Sequence, residues 1–344
     1  MNRKHVPLSL LALTALPWAA HAQSSVTLFG RVDVALRHVS TAGTSVNKVD
    51  SSGMGTSHLG VRGIEDLGGG MSAAFWLESE VFPDTGASAA KFWNRQAWVA
   101  LRGPLGEIRL GRDYTPAFAL YAAYDPFFHN GVAATAQIAN YGLNTNASTG
   151  ARADNSVNYL TPPTLGGWFA KLQVTASEGT AGGKTRGGRF GYADGPLNIS
   201  AGMSEADAGP AGSAVVTGKY RQYGISGFYD VGPVRLVTQV LRATSNVTAP
   251  SRTAGLTIVG ASWTLLDTHV IKFKHLELTH DYKGRLDAIG WTDALSKRTS
   301  VYATYARISN KGPYSAFTVG GAPAAVAGLQ QQSSGFEMGV NHSF

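Results

Sequence analysis

Two stretches hold residue types whose spacing could support chemistry. EGTAGGKT (178–185) ends in the Gly-Lys-Thr of a phosphate-binding loop, where backbone N–H groups and a lysine cradle phosphates. Glu178 stands where that loop requires glycine, and the stretch lies between strand-like segments with no helix to follow. It reads as a flexible surface loop. His275 and His280 could share a metal only if their rings met; five apart in an extended strand, they point to opposite faces. There is no nucleophile elbow, no His-Glu-x-x-His and no cysteine. The chain does not read as an enzyme, and no cofactor or metal is expected.

What remains is the chemistry of charge, and it is ordered. In VTLFGRVDVALRHV (26–39), Val26, Leu28, Val32, Val34 and Leu36 share one parity, while Thr27, Arg31, Asp33 and Arg37 take the other. A strand between an apolar and a polar phase requires this alternation. MSAAFWLESEVF (71–82) repeats it, with Trp76, Glu78 and Glu80 opposing Met71, Phe75 and Leu77, and WFAKLQVTA (168–176) does so again.

The elements that must hold these charges follow from the rest of the chain. Residues 1–22 combine a basic start (Arg3, Lys4, His5), an apolar stretch from Val6 to about Ala20 and a small-x-small end. This is a secretory signal peptide, with cleavage expected between Ala22 and Gln23. The mature chain, 23–344, is expected to form a single domain. Its net charge falls from +7 to +5 when Arg3 and Lys4 leave, because no acid leaves with them. That excess is too diffuse to imply nucleic acid. No apolar run after residue 22 reaches 18 residues, so no helical membrane span is expected. An exported chain without disulfides must draw its stability from backbone pairing or a large core.

Short turns such as EDLGGG (65–70), GPLGE (103–107) and LSKRT (295–299) alternate with long connections, among them 40–56, 113–152 and 310–334. Sixteen strands fit between them, from 26–39 to 335–344. An even count with both ends on the short-turn side is the pattern of an outer-membrane barrel, closed because lipid leaves no unpaired backbone group satisfied. The last strand, GFEMGVNHSF, puts Phe336, Met338, Val340 and Phe344 on one parity and is expected to close the barrel against the first. Trp98, Trp168, Tyr159, Tyr302, Tyr305 and Phe344 are expected on the outside, in aromatic belts or a subunit interface.

The chain resembles the Gram-negative general porins of the beta-proteobacterial type. The resemblance rests on SSVTLFGRVD (24–33), SHLGVRGIEDLGGG (57–70), NRQAWVALRG (94–103), LGRDYTP (110–116), ADNSVNYLTP (153–162), LSKRT (295–299), YATYARI (302–308) and GVNHSF (339–344). It implies an all-β, sixteen-stranded antiparallel transmembrane barrel of the outer membrane, a homotrimer, with its third long loop, about 113–152, folded into the lumen. It implies passage of small hydrophilic solutes and ions, and contact with outer-membrane lipid and lipopolysaccharide. It also implies recognition of the C-terminal Phe strand by the barrel-assembly machinery. Family matching places Arg31, Arg62, Arg95 and Arg152 on the basic wall of the pore. His58 stands where the family usually carries arginine, and its ordinary titration near pH 6.5 implies pH-dependent selectivity. The loop side carries Asp113 and Asp125 and no other carboxylate from 113 to 151. Several arginines against so few acids imply weak anion selectivity. Glu78 and Glu80 face inward and offset part of it. The alternative is a substrate-specific channel for a small anionic solute or sugar, which aromatic tracks or an arginine ladder along the lumen would favour.

Overall fold

The computed structural model describes residues 25–135, 151–176, 184–210, 213 and 215–344. The predicted signal peptide with its Ala22–Gln23 cleavage site, the stretch 136–150 of the long loop and most of EGTAGGKT lie outside the described residues.

The chain alternates hairpins from one end to the other. The first part holds β1 (Ser25–Thr41), β2 (Thr44–Ser51), β3 (His58–Gly68), β4 (Met71–Phe82), the two-residue β5 (Ala87–Ser88), β6 (Gln96–Gly103) and β7 (Gly106–Tyr114). A short helix, α1 (Pro116–Ala122), follows. Then come β8 (Arg152–Leu160), β9 (Trp168–Thr175), β10 (Thr185–Asp194), β11 (Leu197–Ala208), β12 (Gly218–Val231) and β13 (Val234–Ser245). The last are β14 (Arg252–Leu265), β15 (His269–His280), β16 (Lys283–Ala294), β17 (Thr299–Lys311) and β18 (Gln332–Ser343). All belong to one antiparallel sheet that closes where β1 meets β18, from Arg31 opposite Ser343 to Thr41 opposite Ser333. Phe344 completes the seam, exchanging two 3.1 Å backbone hydrogen bonds with Gly30.

The barrel has sixteen crossings, because β2 and β3 share one and β5 is a local bridge. β3 pairs the lower half of β1 (Arg31 opposite His58) and β2 the upper half (Val34 opposite Ser51). The break between them, expected to be plain loop, is organised by buried Asp33. Its carboxylate accepts from the backbone N–H groups of Gly53, Met54 and Gly55 at 3.0, 3.0 and 2.8 Å, and from the Tyr302 hydroxyl at 2.6 Å.

Parity decides what each face meets. Leu28, Val32, Leu36, Val99, Leu101, Val240, Ile289, Phe336, Met338 and Val340 are exposed on the outer face, as a lipid-facing surface requires. The opposite parity is not uniform. Along β13 to β17 much of it is apolar: Leu241, Leu256, Ile258, Leu276, Leu286 and Ile308 are buried in one cluster with Leu120, Tyr121, Phe127 and Val132 of the long loop and with Phe317 and Val319. Removing each such side chain from water is worth about 1.5–3 kcal/mol. The two chain segments meet over β18, where a Cβ on Gly335 would come within 3.0 Å of Val132, Val319 and Val39. Only glycine admits that approach.

Candidate pore constriction

The long-loop segment 115–135 is tied to the inner parity of strands far apart in sequence. Thr115 caps α1, its hydroxyl accepting from Phe118 N at 3.2 Å, and Pro116 at the first helical position fits the missing donor. The Tyr124 hydroxyl reaches Asn198 at 2.7 Å and Ser200 at 2.8 Å on β11. Val132 N donates to Glu337 of β18 at 3.1 Å.

Between this segment and the strands opposite lies a cavity of about 660 Å³, whose lining includes Arg31, His58, Glu80, Arg95, His129 and Arg152. Four of the seven residues expected at the pore wall are therefore brought together. Arg31 and His58 are direct neighbours across β1 and β3. Arg95 immediately precedes β6, its N–H donating to the Glu78 carbonyl at 3.2 Å. Arg152 opens β8 opposite Tyr114, the last residue of β7.

The three guanidiniums differ in their compensation. Arg95 forms an ion pair with Glu78, which also accepts from Trp76 Nε1 at 2.8 Å, and Arg95 donates to the Tyr114 hydroxyl at 2.9 Å. Arg152 donates to the same hydroxyl at 3.3 Å and lies 4.8 Å from that ring's centroid. Tyr114 in turn stacks on Phe118 of α1, 5.1 Å between centroids. One tyrosine thus joins two wall arginines to the helix. Among the described residues neither Arg31 nor Arg152 forms an ion pair. Glu80 accepts from Asn94 Nδ2 at 3.1 Å and is the carboxylate that lines the cavity.

The two acids expected to face this wall are placed elsewhere. Asp113 is buried, accepting from Lys171 Nζ at 2.8 Å, Gln96 Nε2 at 2.9 Å and Arg109 Nη1 at 3.3 Å. Asp125 is buried across the barrel against Lys274, whose ammonium lies 3.0 and 3.1 Å from its two oxygens and is 0% exposed. Burial alone would raise the Asp125 carboxyl. Lys274, the Thr135 hydroxyl and the Phe127 N–H outweigh it and hold it below the usual carboxylate range. Acids that are clamped in ion pairs inside the wall add no open negative side to the cavity. His129 is neutral as well, pushed down to about 4 by burial first and then by Lys274 and Arg152, against Asp125. Arg62 lies apart, four residues along β3 toward the short turn, stacked on Phe29 and Trp76.

Lys171, Arg189, Lys272 and Lys274 are inward cations that motif matching does not reach. The signal is present in HVIKFKHLEL: with Ile271 and Phe273 outward, Lys272 and Lys274 must point in. Parity also corrects two aromatic assignments. Trp98 alternates with outward Val99 and Leu101 and is buried on the inner face, and Tyr302 points inward to Asp33. Trp168, Tyr159, Tyr305 and Phe344 are exposed on the outer side.

A closed antiparallel barrel with an apolar outside, a partly polar inside and a loop packed against its inner face defines an outer-membrane channel. The comparisons are specific about the kind. Residues 9–313 match the Gram-negative porin family. The chain is 33% identical to outer membrane porin protein 32 of Delftia acidovorans, over 97% of this chain and 98% of that one. It is 28% identical to an outer membrane porin protein of Bordetella pertussis, over 87% and 93% of the two chains. The solved anion-selective porin from Comamonas acidovorans superposes with a TM-score of 0.83 at 30% identity, covering 94% of this chain and 100% of that one. The chain belongs to the Gram-negative porin family, passive diffusion channels of the outer membrane.

Proposed function

We propose that this porin is a weakly anion-selective diffusion channel for small hydrophilic solutes, with its constriction at the cavity between Arg31, Arg95, Arg152 and the long loop. The observation that carries the proposal is the imbalance of free charge: Arg31 and Arg152 have no ion-pair partner among the described residues and share the cavity with one carboxylate, Glu80, whereas Asp113 and Asp125 are both clamped by cations. A ring with unpaired positive charge in a narrow passage raises the local concentration of anions. The similarity to a solved porin named as anion-selective points the same way. Transport is passive; the barrel supplies the passage, the loop its width and the guanidiniums its preference.

The reading extends to the rest of the chain. Residues 1–22 act as the signal peptide and 23–344 as one barrel domain that works as a homotrimer. Lipopolysaccharide surrounds it, and its C-terminal strand addresses it to the barrel-assembly machinery. The deciding test is the reversal potential of the reconstituted protein in a planar bilayer across a potassium chloride gradient. An anion-favouring potential supports the reading; a cation-favouring one means that Glu78 and Glu80 outweigh the arginines.

A further inference from the structure

On the inner face, below the constriction, three aromatic rings form a continuous strip across β1, β4 and β6. Phe29 and Trp76 lie 4.6 Å apart between centroids, and Trp76 and Trp98 lie 6.2 Å apart and nearly parallel, at 18°. The sequence builds the strip flat: a Cβ on Gly60 would come 2.3 Å from the Phe29 ring, so glycine is what lets that ring lie against the wall. Arg62 stands over the strip, its guanidinium carbon 5.3 Å from the centroids of both Phe29 and Trp76. Arg62 is exposed and forms no ion pair among the described residues. Arg109, over Trp98 at 4.3 Å, is already compensated by Glu107 and Asp113. With a rise of about 3.3 Å per residue, Arg62 lies roughly 13 Å beyond His58 toward the short-turn end.

We propose that Arg62 with the half-exposed rings of Phe29 and Trp76, backed by buried Trp98, is a binding station for small aryl carboxylates on their way through the channel. A guanidinium resting on aromatic faces keeps its N–H edge free and pre-oriented, which suits the two oxygens of a carboxylate. The adjoining rings offer an apolar, stacking surface that an aromatic acid can use and an aliphatic acid or chloride cannot. The constriction sorts by sign, and this station then sorts among anions by shape. The proposal rests on the anion-selective reading above and gives it a substrate class.

The test is current block in a planar bilayer with the full channel, adding sodium benzoate or sodium acetate from the short-turn side. Benzoate should halve the chloride current at a concentration roughly three- to tenfold below that of acetate. Arg62→Gln should abolish the difference, and Phe29→Leu should weaken benzoate block while sparing acetate block. Each variant's chloride conductance reports that the barrel has inserted. Equal block by the two acids in the native channel, or undiminished discrimination in Arg62→Gln, would overturn the station. The reversal potential separates the two readings: an anion-selective channel without discrimination loses only this proposal, whereas a cation-selective one loses the constriction assignment as well.

Discussion

The two sides of the barrel interior solve opposite problems. On β1, β3, β4 and the strands to β9, many inward positions are charged or aromatic, among them Arg31, Asp33, His58, Trp76, Glu78, Trp98 and Lys171. On β13 to β17 the inward parity is Leu241, Leu256, Ile258, Leu276, Leu286 and Ile308, covered by the loops. One side is a wall for water, the other a core. The difference explains how the segment 115–135 can pack against inward-facing strand residues without a disulfide. The apolar side gives it a surface to bury, and Lys274, set into that side, gives Asp125 a fixed partner. The position of the open passage, and which charges remain free to face it, follow from where the core is.

The sharpest way to break this arrangement is to remove the ion pair inside the packed half. Lys274→Met leaves Asp125 buried without its counter-charge, at a cost of about 3–5 kcal/mol. The unfolding midpoint in denaturant should fall, and single-channel conductance should rise and become noisier as the loop loosens. Adding Asp125→Asn should recover much of the stability, because no uncompensated charge is then buried. A single variant as stable as the native protein would separate loop placement from the ion pair. Next in size is the core itself: Leu256→Ala should cost about 2–5 kcal/mol through transfer and cavity terms. An outward residue of the same type, Leu236, faces lipid, and its replacement by alanine should leave the conductance unchanged.

The charged half is probed by selectivity. Replacing Arg31 and Arg152 together with glutamine removes two uncompensated charges and should move the reversal potential strongly toward cations. Replacing Arg95 and Glu78 together with glutamine removes a pair of zero net charge and should move it far less. Equal shifts in the two double variants would show that the pairing seen between Arg95 and Glu78 does not govern the field in the passage.

The same contrast marks what the sequence can tell. All sixteen crossings are legible in it, because period-2 alternation and Gly, Pro and Asp turns are local signals; the segment 71–82 coincides with β4 to its ends. The pairing of Arg31 with His58 on one inward-facing parity is legible through motifs that hold fixed positions on adjacent strands. The fates of the acids are not. Asp125 and Lys274 are 149 residues apart, and nothing near Asp125 announces a lysine across the barrel. Strand β2 and the turn held by Asp33 are hidden for the same reason, since the bonds that fix Gly53 to Gly55 come from another strand. A rule about residue type misplaces Trp98, whose own parity against Val99 and Leu101 already points inward.

The smallest effect expected is from pH, and its sign can be worked out from the loop. His129, held down to about 4, stays neutral from pH 7.5 to 5.5 and gains charge only in stronger acid. Asp125, held below the usual range, stays ionised over the same window; its contribution to holding the loop is present above the unfolded carboxyl's value, about 3.9, and is lost only as pH falls through its lower folded value. Mild acid therefore changes neither group. Any change in anion preference between pH 7.5 and 5.5 has to come from groups other than these two. His129→Asn should then track the native reversal potential down to about pH 5.5 and diverge only near pH 4, where the native channel gains a positive charge that the variant cannot. If His129→Asn removed the response in the upper window instead, the imidazole would be titrating in open water, and the loop's close packing against the wall at that point would have to be given up.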